Sequence, residues 1–464
     1  MCQRTRVAYK FIGINIRELA YVGDQNQSLT KADVYRVDLT SANPGILQHQ
    51  LEQASQMGVK VVRIFAPRFY DANTDIHSLN DVIAAVDKVL AVSSILEQQR
   101  RIEPLKYLIT FTDFYAAAPG FNVYNLHCPG YSDQDFSDPF CYIMKGEPPH
   151  LRAEWFKADY ARPTFGEGSY KQYVEKLIKH YNAVVTIPAN DDDPKGIRVI
   201  GVSLKSIQIR PTQIFAWELG NELKVDDPGH ALTYMQSFVQ DMACSVHSWD
   251  QHPRLVSSGF ASTFHATNAQ RHDPAELYDL QCEGQRAAFD LGTIHGYNNQ
   301  WSIPRSVVAP DNERNFGDRL EQYVDYRWFQ AHKLPYLVEE LGFTGGTRSP
   351  VDEKCVDGSY AIGDEVWSGD ATHGDGSGQD TALPQTSLTR GPAITAALDR
   401  FFALDASGVL PWAFQAGSLD LMMHDACRGM DPIYHTDWAD LFKAYCRQAN
   451  QLDRLSLPCN AVVK

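Results

Sequence analysis

The sequence has no run of about 18 apolar residues, so no membrane-spanning helix is expected. Behind Met1-Cys2-Gln3-Arg4-Thr5-Arg6-Val7 there is charge but no apolar stretch, and no export leader is expected there. Basic residues are in deficit: 42 Lys and Arg stand against 57 Asp and Glu, a net charge of −15. An anionic surface lacks the positive field that phosphates require, which argues against nucleic acid and acidic membranes as partners. The nine cysteines include no C-x-x-C pair, so the common zinc spacings are missing. Cys128 with Cys141, and Cys446 with Cys459, could each close a disulfide. The cysteines lean toward an oxidising, extracellular compartment, whereas the N-terminus leans against export. There is no low-complexity segment, no repeat and no linker poor in apolar residues.

What is present is a long globular chain. Its 464 residues could build one large core or two to three ordinary domains. Short apolar runs alternate with helical patterns. The runs are Phe11 to Ile16, Val59 to Phe65, Leu105 to Thr112, Ile214 to Asn221, Leu255 to Phe260, Leu291 to Tyr297, Tyr336 to Leu341 and Gly408 to Phe414. Helices are expected at about 44–57, 79–99, 170–184, 229–248, 316–331, 392–404 and 436–448. Ile187 to Arg210 looks like an excursion, with a small hairpin strand at Ile197 to Leu204.

Eight strands alternating with helices is the count of a (β/α)₈ TIM barrel. The chain is therefore read as one catalytic domain, 1–464, and as a monomer. Long βα loops follow strand three (Asp113 to Gly168) and strand seven (Gly342 to Thr389). A doubly wound sheet is the alternative. It would carry a Gly-rich phosphate turn after its first strand, and Gly13-Ile14-Asn15 lacks one.

In a barrel, the carboxyl ends of the strands converge on one pit. Asn221-Glu222 ends strand four and Glu340 ends strand seven. Arg63 lies near the end of strand two, His295 and Tyr297 at the end of strand six, Trp412 on strand eight. Alone, each has an ordinary explanation: a solvated loop acid, a core ion pair, a satisfied histidine, a packing aromatic. Together they supply two carboxylates in one pit, the requirement for glycoside hydrolysis. One must donate a proton to the leaving oxygen and the other must attack the anomeric carbon. Two like charges in proximity push their pKa values apart, which separates those roles. Arg63 can hold the nucleophile ionised, and Tyr297 can hydrogen-bond it. Asn221 suits a sugar 2-hydroxyl, and Trp412 suits a pyranose face. Neither carboxylic role calls for a cofactor or a metal.

These residues resemble glycoside hydrolase family 5, most closely its β-mannanase branch. Ile214-Phe215-Ala216-Trp217-Glu218-Leu219-Gly220-Asn221-Glu222 is similar to that branch's I-x-A-W-E-L-x-N-E-P. Glu339-Glu340-Leu341-Gly342 resembles its E-E-F-G, and Thr293-Ile294-His295-Gly296-Tyr297 with Trp301 its T-x-H-x-Y-P-x-x-W. Gly58 to Arg63 resembles its strand-two arginine segment. The resemblance implies that Glu222 is the acid/base and Glu340 the nucleophile of a retaining enzyme. The substrate it implies is a β-linked mannan or glucomannan, as polysaccharide or oligosaccharide, with β-1,4- or β-1,3-glucan as the alternative. By strand alternation, Glu339 is expected to point away from the pit.

The chain also departs from the family. Leu223 stands where proline is usual. Asp113-Phe114 follows strand three in place of Asn or His with Trp, which makes Asp113 a substrate-binding candidate. Longer cleft loops are a device for turning endo cutting into exo cutting. Trp155, Phe156, Trp301 and Trp367 are candidate sugar platforms. Asp370 to Asp380 faintly resembles a calcium loop but lacks its spacing and closing Glu, and reads as a solvated loop. Two rivals remain. A non-catalytic carbohydrate-binding barrel would be expected to lack one of the two acids. A metal-dependent barrel hydrolase would be expected to carry an H-x-H after strand one, which this chain does not.

Overall fold

A computed structural model describes residues 10–16, 35–40, 44–65, 79–112, 155–157, 159–161, 169–190, 196–225, 229–267, 273–297, 320–342, 347–348, 355–356, 360–361, 387–388, 398–399, 401–411 and 446–452. Eight strands in it run parallel: β1 (Phe11–Ile16), β2 (Val61–Phe65), β3 (Lys106–Thr110), β4 (Ile214–Glu218), β5 (Leu255–Ser257), β6 (Gly292–Tyr297), β7 (Tyr336–Gly342) and β8 (Gly408–Pro411). They pair in the order β6-β7-β8-β1-β2-β3-β4-β5. A parallel bridge from Ser257 to Leu291 joins β5 to the residue before β6 and brings the two edges together. The fold is a (β/α)₈ barrel.

Both faces of such strands are covered, so they read as continuous apolar runs. All of β1, β2 and β8 is buried. Phe11, Val61, Leu108, Ala216, Leu291, Leu337 and Leu410 form one cluster, drawn from strands all round the barrel. That cluster is an apolar floor. Two residues further along, the same faces carry Arg63, Thr110, Glu218 and Glu339, all 0% exposed. Period-2 alternation thus turns the barrel interior from apolar to ionic along its axis.

A second, larger cluster packs helices against the outside of the strands. The helices include α1 (Ile46–Gln56), α2 (Leu79–Gln98), α3 (Tyr170–His180), α4 (Ala231–Trp249) and α5 (Leu320–His332). α3 begins at a capping box, in which Ser169 and Gln172 each satisfy the other's backbone N–H. α4 buries Ala231, Met235, Phe238, Val239 and Met242, the three-and-four spacing of one helical face. Burying each large apolar side chain contributes roughly 1.5–3 kcal/mol.

Two expectations need correction. The excursion before β4 does form a hairpin, but its antiparallel strands are Val185–Pro188 and Ser206–Ile209, while Val199–Ile200 pairs in parallel with Val37–Asp38. The disulfide among the described residues whose two partners are seen is Cys244–Cys282, which ties α4 to the segment leading into β6. Cysteines 38 residues apart gave no local loop signal. Cys446 is also disulfide-bonded; Cys128, Cys141 and Cys459 lie outside the described residues. The second correction is Glu339, expected to point away from the pit: it is 0% exposed and faces inward, toward Arg63. No helix among the described residues is long and apolar enough to cross a membrane. The 370–380 loop lies outside the described residues.

Candidate active site

Arg63 is the hub. Fully buried on β2, it donates through Nη1 to Glu340 Oε1 at 2.7 Å and to Asn15 Oδ1 at 3.1 Å. Its Nη2 donates to Glu218 Oε1 at 2.6 Å and to Asn221 Oδ1 at 2.8 Å, and its Nε reaches Glu218 Oε1 at 3.2 Å. One planar fork therefore fixes side chains from β1, β4, β7 and the loop after β4. Burial works against its charge, but Glu218, Glu339 and Glu340 more than offset that and hold it charged. Asn15 is oriented in turn, its Nδ2 donating to the backbone carbonyls of Glu339, Leu410 and Pro411 at 2.9–3.2 Å.

The second hub is His295 on β6, also fully buried. Its Nδ1 lies 2.6 Å from Glu222 Oε1 and 3.5 Å from Glu340 Oε2, and its Nε2 lies 3.6 Å from Glu339 Oε2. Burial alone would strip its proton. Glu340, Glu222 and Glu339 reverse that and push its pKa up to about 10. The ring is an imidazolium between three acids.

Glu222 sits in the turn after β4 with φ 49°, in the left-handed region that few side chains adopt. Its N–H donates to the Gly259 carbonyl at 2.8 Å, and that of Asn221 to the Thr112 carbonyl at 2.7 Å. Gly259 itself has φ +72°, and a Cβ there would sit 2.2 Å from the Gly220 carbonyl oxygen and 2.8 Å from the Glu218 carboxyl carbon. The turn that presents Glu222 thus needs glycine next to it. Leu223, fully buried in the outer core, anchors the turn from behind.

The pairing register explains Glu339. Ile294 pairs with Val338 but His295 pairs with Glu340, so Glu339 is an extra residue in β7. A second shift lies between Val338 and Leu341 against β8. The bulge breaks alternation and turns both adjacent glutamates into the barrel. Glu339 Oε1 lies 3.9 Å from Arg63 Nε. Burial opposes its charge, yet Arg63, with Glu218 and His295, holds it down to about 2.

Arg63, Asn221, Glu222, His295 and Glu340 are thus brought together. The Tyr297 backbone pairs with Gly342 in the β6–β7 ladder, and its side chain lies outside the described residues. Asp113, Trp301, Trp367 and Trp412 also lie outside them. Trp155 and Phe156 do not serve as platforms. Each is 2% exposed, and both pack on Phe238 of α4, with ring centroids 5.3 Å apart. Sequence reading missed Asn15, Thr110, Glu218 and Glu339. The available signal was a polar residue at an inward position of an otherwise apolar strand.

Glu222, His295 and Glu340 also present possible ligand atoms within 4.8 Å of one another. They could converge on a metal ion only if His295 gave up its proton, and Arg63 already places a cation on Glu340. The donor set fits an imidazolium between two carboxyl groups better than it fits a metal.

No protein-family model and no curated protein matches the sequence. Solved structures do match. An endo-β-1,4-mannanase from Thermotoga petrophila is 16% identical, with a TM-score of 0.52 over 96% of this chain and 78% of that one. A second structure, the hyperthermostable endo-1,4-β-D-mannanase from Thermotoga petrophila RKU-1 with maltose and glycerol, is 16% identical, with a TM-score of 0.50 over 95% of this chain and 100% of that one. The chain shares their barrel fold.

Proposed function

We propose that this protein is a retaining β-glycosidase of the glycoside hydrolase family 5 type, acting on a β-linked mannan or glucomannan as polysaccharide or oligosaccharide. One observation carries the reading: a carboxylate oxygen of Glu222 and one of Glu340 lie within 4.8 Å of each other at the carboxyl ends of β4 and β7. Retaining enzymes hold their two carboxyl groups about 5–5.5 Å apart, inverting ones roughly 6.5–9.5 Å. The sequence resemblance and the shared barrel support the same reading.

Glu340 is the nucleophile. Its carboxylate, held by Arg63 Nη1 at 2.7 Å, attacks the anomeric carbon as the glycosidic C–O bond breaks. Glu222 donates its proton to the departing oxygen, leaving a glycosyl ester on Glu340. Glu222 then takes a proton from water, whose oxygen attacks the same carbon and frees Glu340. Two inversions give net retention. His295 steadies both carboxyl groups, Asn221 faces the 2-hydroxyl, and Tyr297 and Trp412 complete the sugar site. The protein works as a monomer without cofactor or metal.

Glu222→Ala tests the proton donor. Activity on natural linkages should fall by at least 10³-fold, while aryl glycosides with acidic leaving groups fall far less. Equal losses on both would remove Glu222 from that role. Assays on mannan, glucomannan, cellulose and laminarin with product sizing fix the substrate; exclusive cleavage of the two glucans would replace mannan with glucan.

A further inference from the structure

The turn that carries Glu222 is strained backbone held from several sides. Glu222 lies at φ 49°, a conformation that persists only where its surroundings hold it. The N–H of Leu219 donates to the Ser257 carbonyl at 3.1 Å, that of Asn221 to the Thr112 carbonyl at 2.7 Å and that of Glu222 to the Gly259 carbonyl at 2.8 Å. Those ties come from the two flanking strands and the residues just after them. A further tie comes from outside the barrel. The Tyr170 hydroxyl donates to the carbonyl of Leu219, the first residue after β4, at 2.5 Å.

Tyr170 is placed for this bond from two directions. It is the first residue of α3, directly behind the capping box of Ser169 and Gln172, so the helix start fixes its backbone. Its ring is 3% exposed and packs 5.4 Å from Trp155 and 6.1 Å from Phe238 of α4, centroid to centroid. Trp155 lies in the long segment between β3 and α3. The end of that segment, α3, α4 and the turn after β4 therefore meet on one tyrosine. Burial keeps its phenol protonated and so a donor.

Tyr173 provides the contrast. It is fully buried on the same helix, its ring 6.5 Å from that of Tyr170, yet its hydroxyl meets no hydrogen-bond partner among the described residues. A ring suffices for packing at Tyr173, whereas the hydroxyl of Tyr170 adds a bond to the turn. The turn has little room to absorb a shift of that bond. At Gly220 a Cβ would sit 2.7 Å from Thr112 Cγ2 and 2.9 Å from Leu223 Cγ. In such close packing a displaced Leu219 carbonyl carries Asn221 and Glu222 with it.

We propose that Tyr170 is a positioning residue for the proton donor: its hydroxyl fixes the Leu219 carbonyl and thereby holds the turn that aims Glu222. It acts through the backbone and does not touch the substrate. The role rests on the glycosidase reading, in which Glu222 is the acid/base.

Tyr170→Phe removes the hydroxyl and keeps the ring, and Tyr173→Phe is the matched control. Natural linkages need a well-aimed proton, so on them Tyr170→Phe should lower kcat/KM by roughly 10–100-fold through kcat, with KM within about twofold. Aryl glycosides with acidic leaving groups need little protonation, and their kcat/KM should fall by less than about threefold. Tyr173→Phe should change either substrate by no more than about twofold. A mere loss of folded protein would lower both substrates alike. Equal losses on the two substrates, no loss, or the same split in Tyr173→Phe would overturn the proposal. Failure of Tyr170→Phe to fold would make the hydroxyl a folding requirement and would overturn it too. Glu222→Ala, assayed alongside, separates this role from the reading beneath it. If Glu222→Ala shows the substrate split and Tyr170→Phe does not, Tyr170 alone loses its role. If Glu222→Ala shows no split, the reading of Glu222 falls and the role of Tyr170 falls with it.

Discussion

His295 Nδ1 lies 2.6 Å from Glu222 Oε1 and also reaches Glu340, so a single ring touches both carboxyl groups of the proposed reaction. That ring carries a proton which its acid neighbours retain up to about pH 10.

A pH dependence follows. The folded state binds the His295 proton more tightly than an ordinary histidine of pKa 6.5, so the resulting stability is complete below about pH 6.5 and is lost as pH rises through about 10. Glu339 works in the other direction. Held down to about 2 from 4.5, it contributes above about pH 4.5 and loses that contribution as pH falls toward 2. The thermal midpoint should therefore fall on both flanks. His295→Gln should flatten the alkaline flank and lower kcat/KM by about 10²–10³-fold. An alkaline flank unchanged in the variant would show that another group titrates there.

Gly259 supports the turn that carries Glu222. Gly259→Ala forces a Cβ against the Gly220 carbonyl oxygen in a backbone conformation that disfavours it. A loss of about 1–3 kcal/mol is expected in chemical denaturation. The loss of kcat/KM should exceed what unfolding explains, because the N–H of Glu222 is bonded to Gly259. Unchanged kinetics would mean that the turn tolerates the shift.

Removing the Cys244–Cys282 disulfide tests the outer shell rather than the pit. The bridge spans 38 residues, and chain entropy assigns such a loop about 4 kcal/mol. Cys244→Ser with Cys282→Ser should lower stability by about 2–4 kcal/mol and leave KM within about twofold. A large change in KM would show that α4 and the β6 approach govern the site.

Much of the barrel was legible because parallel strands buried on both faces leave short bulky runs, and because chemistry gathers at their carboxyl ends. Glu222 and Glu340 were visible as acids at two such ends. What escaped notice was interior. Asn15 sits at the third inward position of β1 after Phe11 and Gly13, and Glu218 follows Ala216 on the inward face of β4. Both could have been found by counting in twos from the apolar floor. Glu339 follows Leu337 in the same way, but strict alternation then turns Glu340 outward, so one strand cannot place both inside. The bulge that lets both face the barrel arises from pairing with β6 and β8, a relationship between strands that one strand's sequence does not carry. The Cys244–Cys282 bridge was hidden for the same reason: its partners meet through the packing of α4, not through a local loop.

The central claim is that Glu340 forms a covalent bond to the sugar. Glu340→Ala, supplied with an activated β-mannoside and azide, tests it most directly. The account predicts a folded protein with turnover reduced at least 10⁴-fold, partial rescue by azide, and an α-glycosyl azide as product, because azide enters on the face that Glu340 vacates. Near-wild-type turnover without azide, or rescue giving only the β-azide, would contradict it.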